Sequence, residues 1–373
     1  MKVKRGIYIV GLFVFVVLFL LGCSSGSSNV ENSYTVSGRI ETNSGQGIDN
    51  VELNLSGQED VIVDGVHWQL DDLTGDLIIT PQKEGYYFYP DNIPVFQAEE
   101  NIIITGYKEV DSAEMSTVQA GIISVENDED IILGYAIEMA KYEVTNEDYV
   151  QFLNDENVIS DGIYSGKPLI DLESEFCQIG HDGSDFYVKD WDCIDGIRVV
   201  DNYPVNVVTW YGAVAYCNWL SEKENLDPAY NINTWELKDI PENLEGYRLP
   251  TAEECEYIAR GGEGGMDTQY SGSINLEDVG WYEENSDRAG NTNLTSGRGT
   301  MPVGQKAPNE LGIYDMSGNV REWTTTTSGS GKFAGGGMWN DNDIMCHVDM
   351  WYEVHMPPGP EDGGFGFRVN RRP

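Results

Sequence analysis

The sequence predicts an α+β fold poor in regular secondary structure, preceded by a small all-β sandwich. Three observations carry this. Residues 34–107 alternate apolar and polar side chains in short runs broken by glycine-bearing turns, the period-2 pattern of half-buried strands. Helical spacing is clearest at Thr209–Lys223 and Thr251–Arg260, and beyond these glycine and asparagine dominate. A length of 373 residues sets an expectation of about two domains.

The first residues read as a targeting segment. Lys2, Lys4 and Arg5 make a positive start, and Ile7 to Leu21 is an apolar run shorter than a comfortable membrane span. It ends Leu20-Leu21-Gly22-Cys23, followed by Ser24-Ser25-Gly26-Ser27-Ser28. An ordinary secretory peptide with a chance cysteine is the plain alternative. A cysteine directly after a small residue, with a polar stretch behind it, favours a bacterial lipoprotein. Residues 1–22 would then be removed, Cys23 would carry lipid, and residues 23–33 would tether the protein to a membrane of the cell envelope without spanning it.

The formal charge is −41, and loss of the three basic residues in 1–22 takes it to −44. Such a chain is not expected to bind nucleic acid, or anionic head groups through a basic patch. Most of its carboxylates read as a solvated acidic surface.

In residues 34–107, Tyr34–Ile40, Val51–Leu55, Leu77–Pro81, Gly85–Pro90 and Asn101–Ile104 read as strands, with Gly45 and Gly47 in a turn. Trp68, Tyr86 and Phe88 could stack on a sugar, but core and rim packing is the simpler role, and the module reads as a spacer. Residues 108–113 are a polar link. The large domain, 114–373, opens with a strand near Met115–Gly121. A helix follows over Asn146–Asn154, with Thr145 as its cap. Trp210, Ala213, Val214, Cys217 and Leu220 share one face of the next helix. Thr251 with Glu254 makes a capping box for the last.

Six cysteines are present. With Cys23 assigned to lipid, five remain, and an exported protein can form disulfides. Cys177 and Cys193 share one loop-rich insertion and are the first choice for a bridge. Cys217 and Cys255 could pair or stay as buried thiols. Cys346, His347, Asp349 and His355 are ligand types that suit zinc or copper, without a known spacing.

The stretch Gly312-Ile313-Tyr314-Asp315-Met316-Ser317-Gly318-Asn319-Val320-Arg321-Glu322-Trp323 is too polar and glycine-rich for a helix or plain strand. Asp315 and Glu322, with the carbonyls between them, offer the hard oxygens that Ca²⁺ takes. The alternative is a buried turn whose carboxylates satisfy backbone N–H groups. This run resembles the GxYDMxGNVxEW signature of the formylglycine-generating-enzyme, or sulfatase-modifying-factor, superfamily. So do Lys141-Tyr142-Glu143-Val144-Thr145-Asn146, Tyr203-Pro204-Val205 with Val208–Trp219, Tyr247–Thr251 with Glu256-Tyr257, and Gly366-Phe367-Arg368, in the right order.

The resemblance covers residues 114 to 373, and the sandwich separately resembles carboxypeptidase-regulatory-like or immunoglobulin-like modules. For the large domain it implies a C-type-lectin-like fold. It also implies one calcium site at Asp315, the backbone oxygens of Gly318 and Val320, and Glu322. It places Cys346 at the second of two cysteines that hold Cu(I) while a substrate cysteine is oxidised by O₂. Asp341 stands at the first cysteine's place and Met338 at that of a serine. A thiolate with a carboxylate is a poor cage for soft Cu(I). Cys217 would usually pair just after GFR, where Val369 stands, and Cys255 replaces a tryptophan.

The sequence therefore points first to a lipid-anchored, non-catalytic binding or scaffold module with a protein or glycan ligand. The runner-up is a thiol oxidase acting through Cys346 and copper. The third reading is a carbohydrate-binding surface around Trp339, Trp351 and Tyr352.

Overall fold

The computed structural model describes residues 33–373 except 43–45, 126–128, 157, 190, 194–195, 199, 267, 288–296, 330 and 356–362, and of 191–193 and 196–198 only the backbone. The expected leader, Cys23 and all but the end of the tether lie outside the described residues.

Eight strands open the chain: β1 (Tyr34–Thr42), β2 (Val51–Leu55), β3 (Val61–Val63), β4 (His67–Leu73), β5 (Leu77–Gln82), β6 (Tyr86–Tyr89), β7 (Ile93–Val95) and β8 (Glu99–Lys108). They form two four-stranded sheets, ordered β4-β1-β8-β6 and β3-β2-β5-β7. The expected alternation holds where it was read: Val51, Leu53 and Leu55 are buried while Glu52 faces out. Val36, Ile40 and Ile104 of one sheet share a core with Leu53, Ile79 and Val95 of the other. Trp68 and Phe88 belong to that core, and Tyr86 packs on its edge. β3 and β7 are too short to show a period, and Asp71 and Asp72 mask β4. β1 and β8 pair in parallel, with Ile40 opposite Ile104, which no hairpin signal could reveal.

The larger part is built on three helices and several small sheets. Helix α1 (Asn146–Asp155) starts at Thr145, whose side chain accepts from the Asp148 N–H while the Asp148 carboxylate returns to the Thr145 N–H. Helix α2 (Trp210–Lys223) is capped by Thr209, whose Oγ1 accepts from the Gly212 N–H at 3.1 Å. Helix α3 (Ala252–Ala259) carries the expected box between Thr251 and Glu254. A single turn, α4 (Leu276–Val279), interrupts the stretch where no helix was expected. The facing sides of α1 and α2 meet through Phe152 and Tyr216, 5.6 Å apart, and Tyr216 lies 5.3 Å from Phe367 near the C-terminus.

The C-terminal sheet runs in the order Trp351–Val354, Gly331–Gly335, Arg321–Ser328, Phe365–Gly366. It places Glu322 opposite both Gly335 and Gly366. The two parts of the chain are tied by Gln305, whose side chain accepts from the Lys108 N–H and donates to the Lys108 carbonyl, each at 3.1 Å.

Candidate functional site

Two buried clusters flank the strand that begins at Arg321. The first gathers Glu143, Asp315, Glu322 and Arg368. The Arg368 side chain is fully buried. Its Nε donates to Glu322 Oε1 and Oε2 at 2.9 and 2.7 Å, and its Nη2 donates to Oε1 at 2.6 Å. Its remaining N–H groups reach the carbonyls of Ala140, Lys141 and Tyr314 at 3.2, 3.2 and 2.9 Å. Glu143 accepts from Asn319 Nδ2 at 2.9 Å and from the Val320 N–H at 3.3 Å. Asp315 Oδ2 accepts from the Gly304 N–H at 2.7 Å, while Oδ1 is buried without a hydrogen-bond partner.

Three buried carboxyl groups thus face one guanidinium. Burial drives the Glu143 carboxyl well above the usual range, and the charges of Asp315 and Glu322 add to it. Burial likewise pushes Asp315 up to about 6, against the pull of the Gly304 N–H and of Arg368.

Here both resemblance-based and residue-based readings of the loop meet the geometry. Glu322 spends both oxygens on Arg368. In this arrangement Asp315 Oδ1 is the one side-chain oxygen of the implied calcium set left without a partner. Among the described residues no three or more His, Cys, Asp or Glu side chains converge as metal ligands. Of the two side chains implied for calcium, Glu322 is thus already engaged by a cation. The loop is held together by an internal cation, Arg368.

The second cluster surrounds Cys346. Gly336 and Gly337 adopt left-handed φ of +87° and +74°, and a Cβ on Gly337 would lie 2.6 Å from the Cys346 Sγ. Only glycine lets the chain pass so close. Cys346 is completely buried. Burial pushes its thiol far up, the Asp341 carboxylate adds to that, and Arg321 opposes it. With no metal beside it, such burial favours the protonated, weakly nucleophilic thiol.

Asp341, at the first copper cysteine's place, is committed elsewhere. Arg321 Nη2 donates to its two oxygens at 2.7 and 2.8 Å, Nε to Oδ2 at 3.2 Å, and the Met338 N–H reaches Oδ2 at 3.0 Å. The guanidinium carbon lies 4.4 Å from the Tyr352 ring centre. One inert thiol beside an ion pair does not fit Cu(I).

Other expected constellations are not assembled. His347 packs edge-on against Tyr270 at 5.1 Å, whereas His355 is exposed beside Glu353, and neither joins Cys346. Trp339 is 2% exposed and packs 5.3 Å from Phe176, which takes it out of a sugar-binding surface. Trp351 and Tyr352 are half-buried.

Cys177 is a buried free thiol donating to the Ile179 carbonyl at 3.4 Å, not half of the expected bridge. It faces the core with Ile179 and Phe186, and the side chain of Cys193 lies outside the described residues. Cys217 and Cys255 are also free and buried. Glu143 and Arg321 were not read as site residues from sequence. Their signals were present, as charges embedded in otherwise apolar or small motif positions.

The fold, the ordered motifs and this paired-cluster core define a sulfatase-modifying-factor-type domain. The chain belongs to the sulfatase-modifying factor enzyme 1-like domain family, which matches residues 103–373. It is 42% identical over 176 residues to the chaperone protein LppX of Paenibacillus barcinonensis, covering 38% of this chain and 61% of that one. It is 28% identical over 194 residues to the mouse formylglycine-generating enzyme, covering 45% of this chain and 44% of that one. The chain thus spans less than two thirds of either relative's length. Among solved structures it is similar to Treponema denticola variable protein 1, at 26% identity and a TM-score of 0.47, covering 69% of this chain and 95% of the other. No helix among the described residues is long and apolar enough to cross a membrane.

Proposed function

We propose that this protein is a lipid-anchored cell-envelope protein whose sulfatase-modifying-factor-type domain binds polypeptide and does not catalyse thiol oxidation. Attachment would be through Cys23, with the two N-terminal sheets as a sandwich spacer. The observation that carries the reading is the Arg321–Asp341 ion pair standing where a copper-binding thiolate is required, beside a Cys346 thiol that burial keeps protonated. Two thiolates satisfy Cu(I); one protonated thiol and a carboxylate bound to arginine do not. The polypeptide ligand is supported by the relative named a chaperone.

The test is a Cu(I) competition titration on the protein lacking residues 1–23, beside Cys346→Ala, followed by suppression of aggregation of a denatured secreted enzyme. The expected result is no tight copper in either form and protection of the client at near-stoichiometric ratios. Tight copper lost in Cys346→Ala, with oxygen uptake on a thiol peptide, would establish the oxidase instead.

A further inference from the structure

The two N-terminal sheets have unlike ends. β1 and β8 run parallel, so the start of β1 at Tyr34 and the start of β8 at Glu99 lie at one end. β8 then runs for 10 residues, roughly 33 Å at the rise of a strand, to Lys108 at the other end. There Gln305 of the larger domain holds it. The chain before Ser33 therefore joins the sheets at the end remote from the larger domain.

That remote end carries exposed apolar side chains. The Tyr34 hydroxyl donates to the Gly75 carbonyl at 2.6 Å and reaches the Val95 carbonyl at 3.5 Å, which pins the start of β1 against the residue before Phe96. Phe96 is 66% exposed. Val95 is buried, so the alternation of a strand puts Pro94 and Phe96 together on the outer face. Ile78, the cross-strand partner of Pro94, is 45% exposed on that face. Single exposed apolar residues are common on protein surfaces. What distinguishes Phe96 is its place beside the chain that leads back to Cys23.

We infer that Phe96, with Ile78 and Pro94 behind it, docks into the surface of a zwitterionic lipid bilayer and orients the protein with its larger domain away from the membrane. The inference rests on the anchoring through Cys23 proposed above. Residues 24–33 span at most about 35 Å when fully extended, so this end of the sheets stays close to the anchor. One phenyl ring would not hold a free protein on a membrane. Beside an acyl anchor the contact is intramolecular, and the ring has only to bias orientation. Asp76, Glu99 and Glu100 are exposed at the same end. They are repelled by anionic head groups, which selects a surface without net charge.

The test is a nitroxide depth measurement on the processed protein, taken from its own membranes and reconstituted in phosphatidylethanolamine–phosphatidylcholine vesicles. Labels are placed on Phe96→Cys, Ile62→Cys and Ile274→Cys. Ile62 and Ile274 are 69% and 78% exposed. Ile62 stands opposite Glu52, which stands opposite Gln82 at the far end of β5, and Ile274 belongs to the larger domain. The unsubstituted protein, carried through the same labelling, sets the background. The ratio of collisions with dissolved oxygen to collisions with a water-soluble nickel chelate rises inside lipid. It is expected to be at least fivefold higher at position 96 than at either comparison site. Replacing half of the lipid by phosphatidylglycerol is expected to lower it at least twofold. The intact mass reports whether Cys23 carries lipid.

Lipid on Cys23 with the same collision ratio at all three positions would overturn this inference and leave the anchoring intact. An intact mass without lipid on Cys23 would overturn the anchoring itself, and this inference with it. Shielding of position 96 from both reagents, growing with protein concentration, would mean that a second copy covers Phe96 and not a bilayer. A ratio that holds or rises in phosphatidylglycerol would overturn the zwitterionic surface.

Discussion

Replacing Asp315 by Asn separates an arginine-held loop from a calcium-held one. Asp315 is 2% exposed, and burial raises its carboxyl from the ordinary 3.8 to about 6. A shift of roughly two units, at about 1.4 kcal/mol per unit, sets on the order of 3 kcal/mol against the ionised form in the folded state. The substitution suits the site. Asn keeps an oxygen for the Gly304 N–H, and the backbone φ of +55° is one that Asn tolerates well. Its amide N–H groups then face the neighbouring carboxylates.

The folded-state pKa lies above the unfolded one. Between about pH 4 and 6 the folded protein therefore keeps a proton that the unfolded chain has released. Stability contributed by this group is present below about pH 4 and is lost as pH rises to about 6. Asp315→Asn is expected to be more stable than the parent by ~1–3 kcal/mol at pH 8, with the gain shrinking towards zero at pH 4. Urea denaturation at both pH values, with EDTA and again with millimolar Ca²⁺, measures it. A variant less stable than the parent at pH 8, or a parent midpoint raised by Ca²⁺ and not the variant's, would refute the reasoning and restore the calcium site.

Two other outcomes follow from the same geometry. Glu322→Gln leaves Arg368 buried without its carboxylate and is expected to cost ~3–5 kcal/mol. Arg368→Met should cost as much, and the double variant less than the sum, so strict additivity in denaturant titrations would show that the pair is not coupled. With Ellman's reagent, Cys177, Cys217, Cys255 and Cys346 are expected to stay unmodified in the native protein and to react once it is denatured. Native-state labelling mapped to Cys346 would contradict its burial.

The local signals in the sequence were read well because they depend on neighbours along the chain. Thr145 and Thr251 each cap the helix expected of them, and Thr209, read as the first residue of its helix, is that helix's cap; a hydroxyl acting on an N–H three residues away needs no tertiary knowledge. What the sequence hid was pairing across long separations. Glu322 and Arg368 both stood in recognised motifs, but assigning Glu322 to calcium left no reason to look for a partner 46 residues away. Arg321 sat mid-motif as an ordinary polar position, and its meaning depends on a carboxylate 20 residues on. Cys177 and Cys193 looked joined by loop proximity. Proximity says nothing about which way a side chain points, and Cys177 points into the core.

The Arg321–Asp341 pair also explains how the domain holds its shape where two copper-binding cysteines are implied by resemblance. A salt bridge with side chains 12% and 9% exposed carries a desolvation cost of several kcal/mol per ion if left unsupported. Here the carboxylate also accepts the Met338 N–H, and the guanidinium lies on the Tyr352 ring. Those contacts hold the turn from Gly336 to Asp341. A thiol pair would make the same turn depend on copper and on the oxidation state of the compartment. Charge and stacking leave the turn unchanged between an oxidising and a reducing medium.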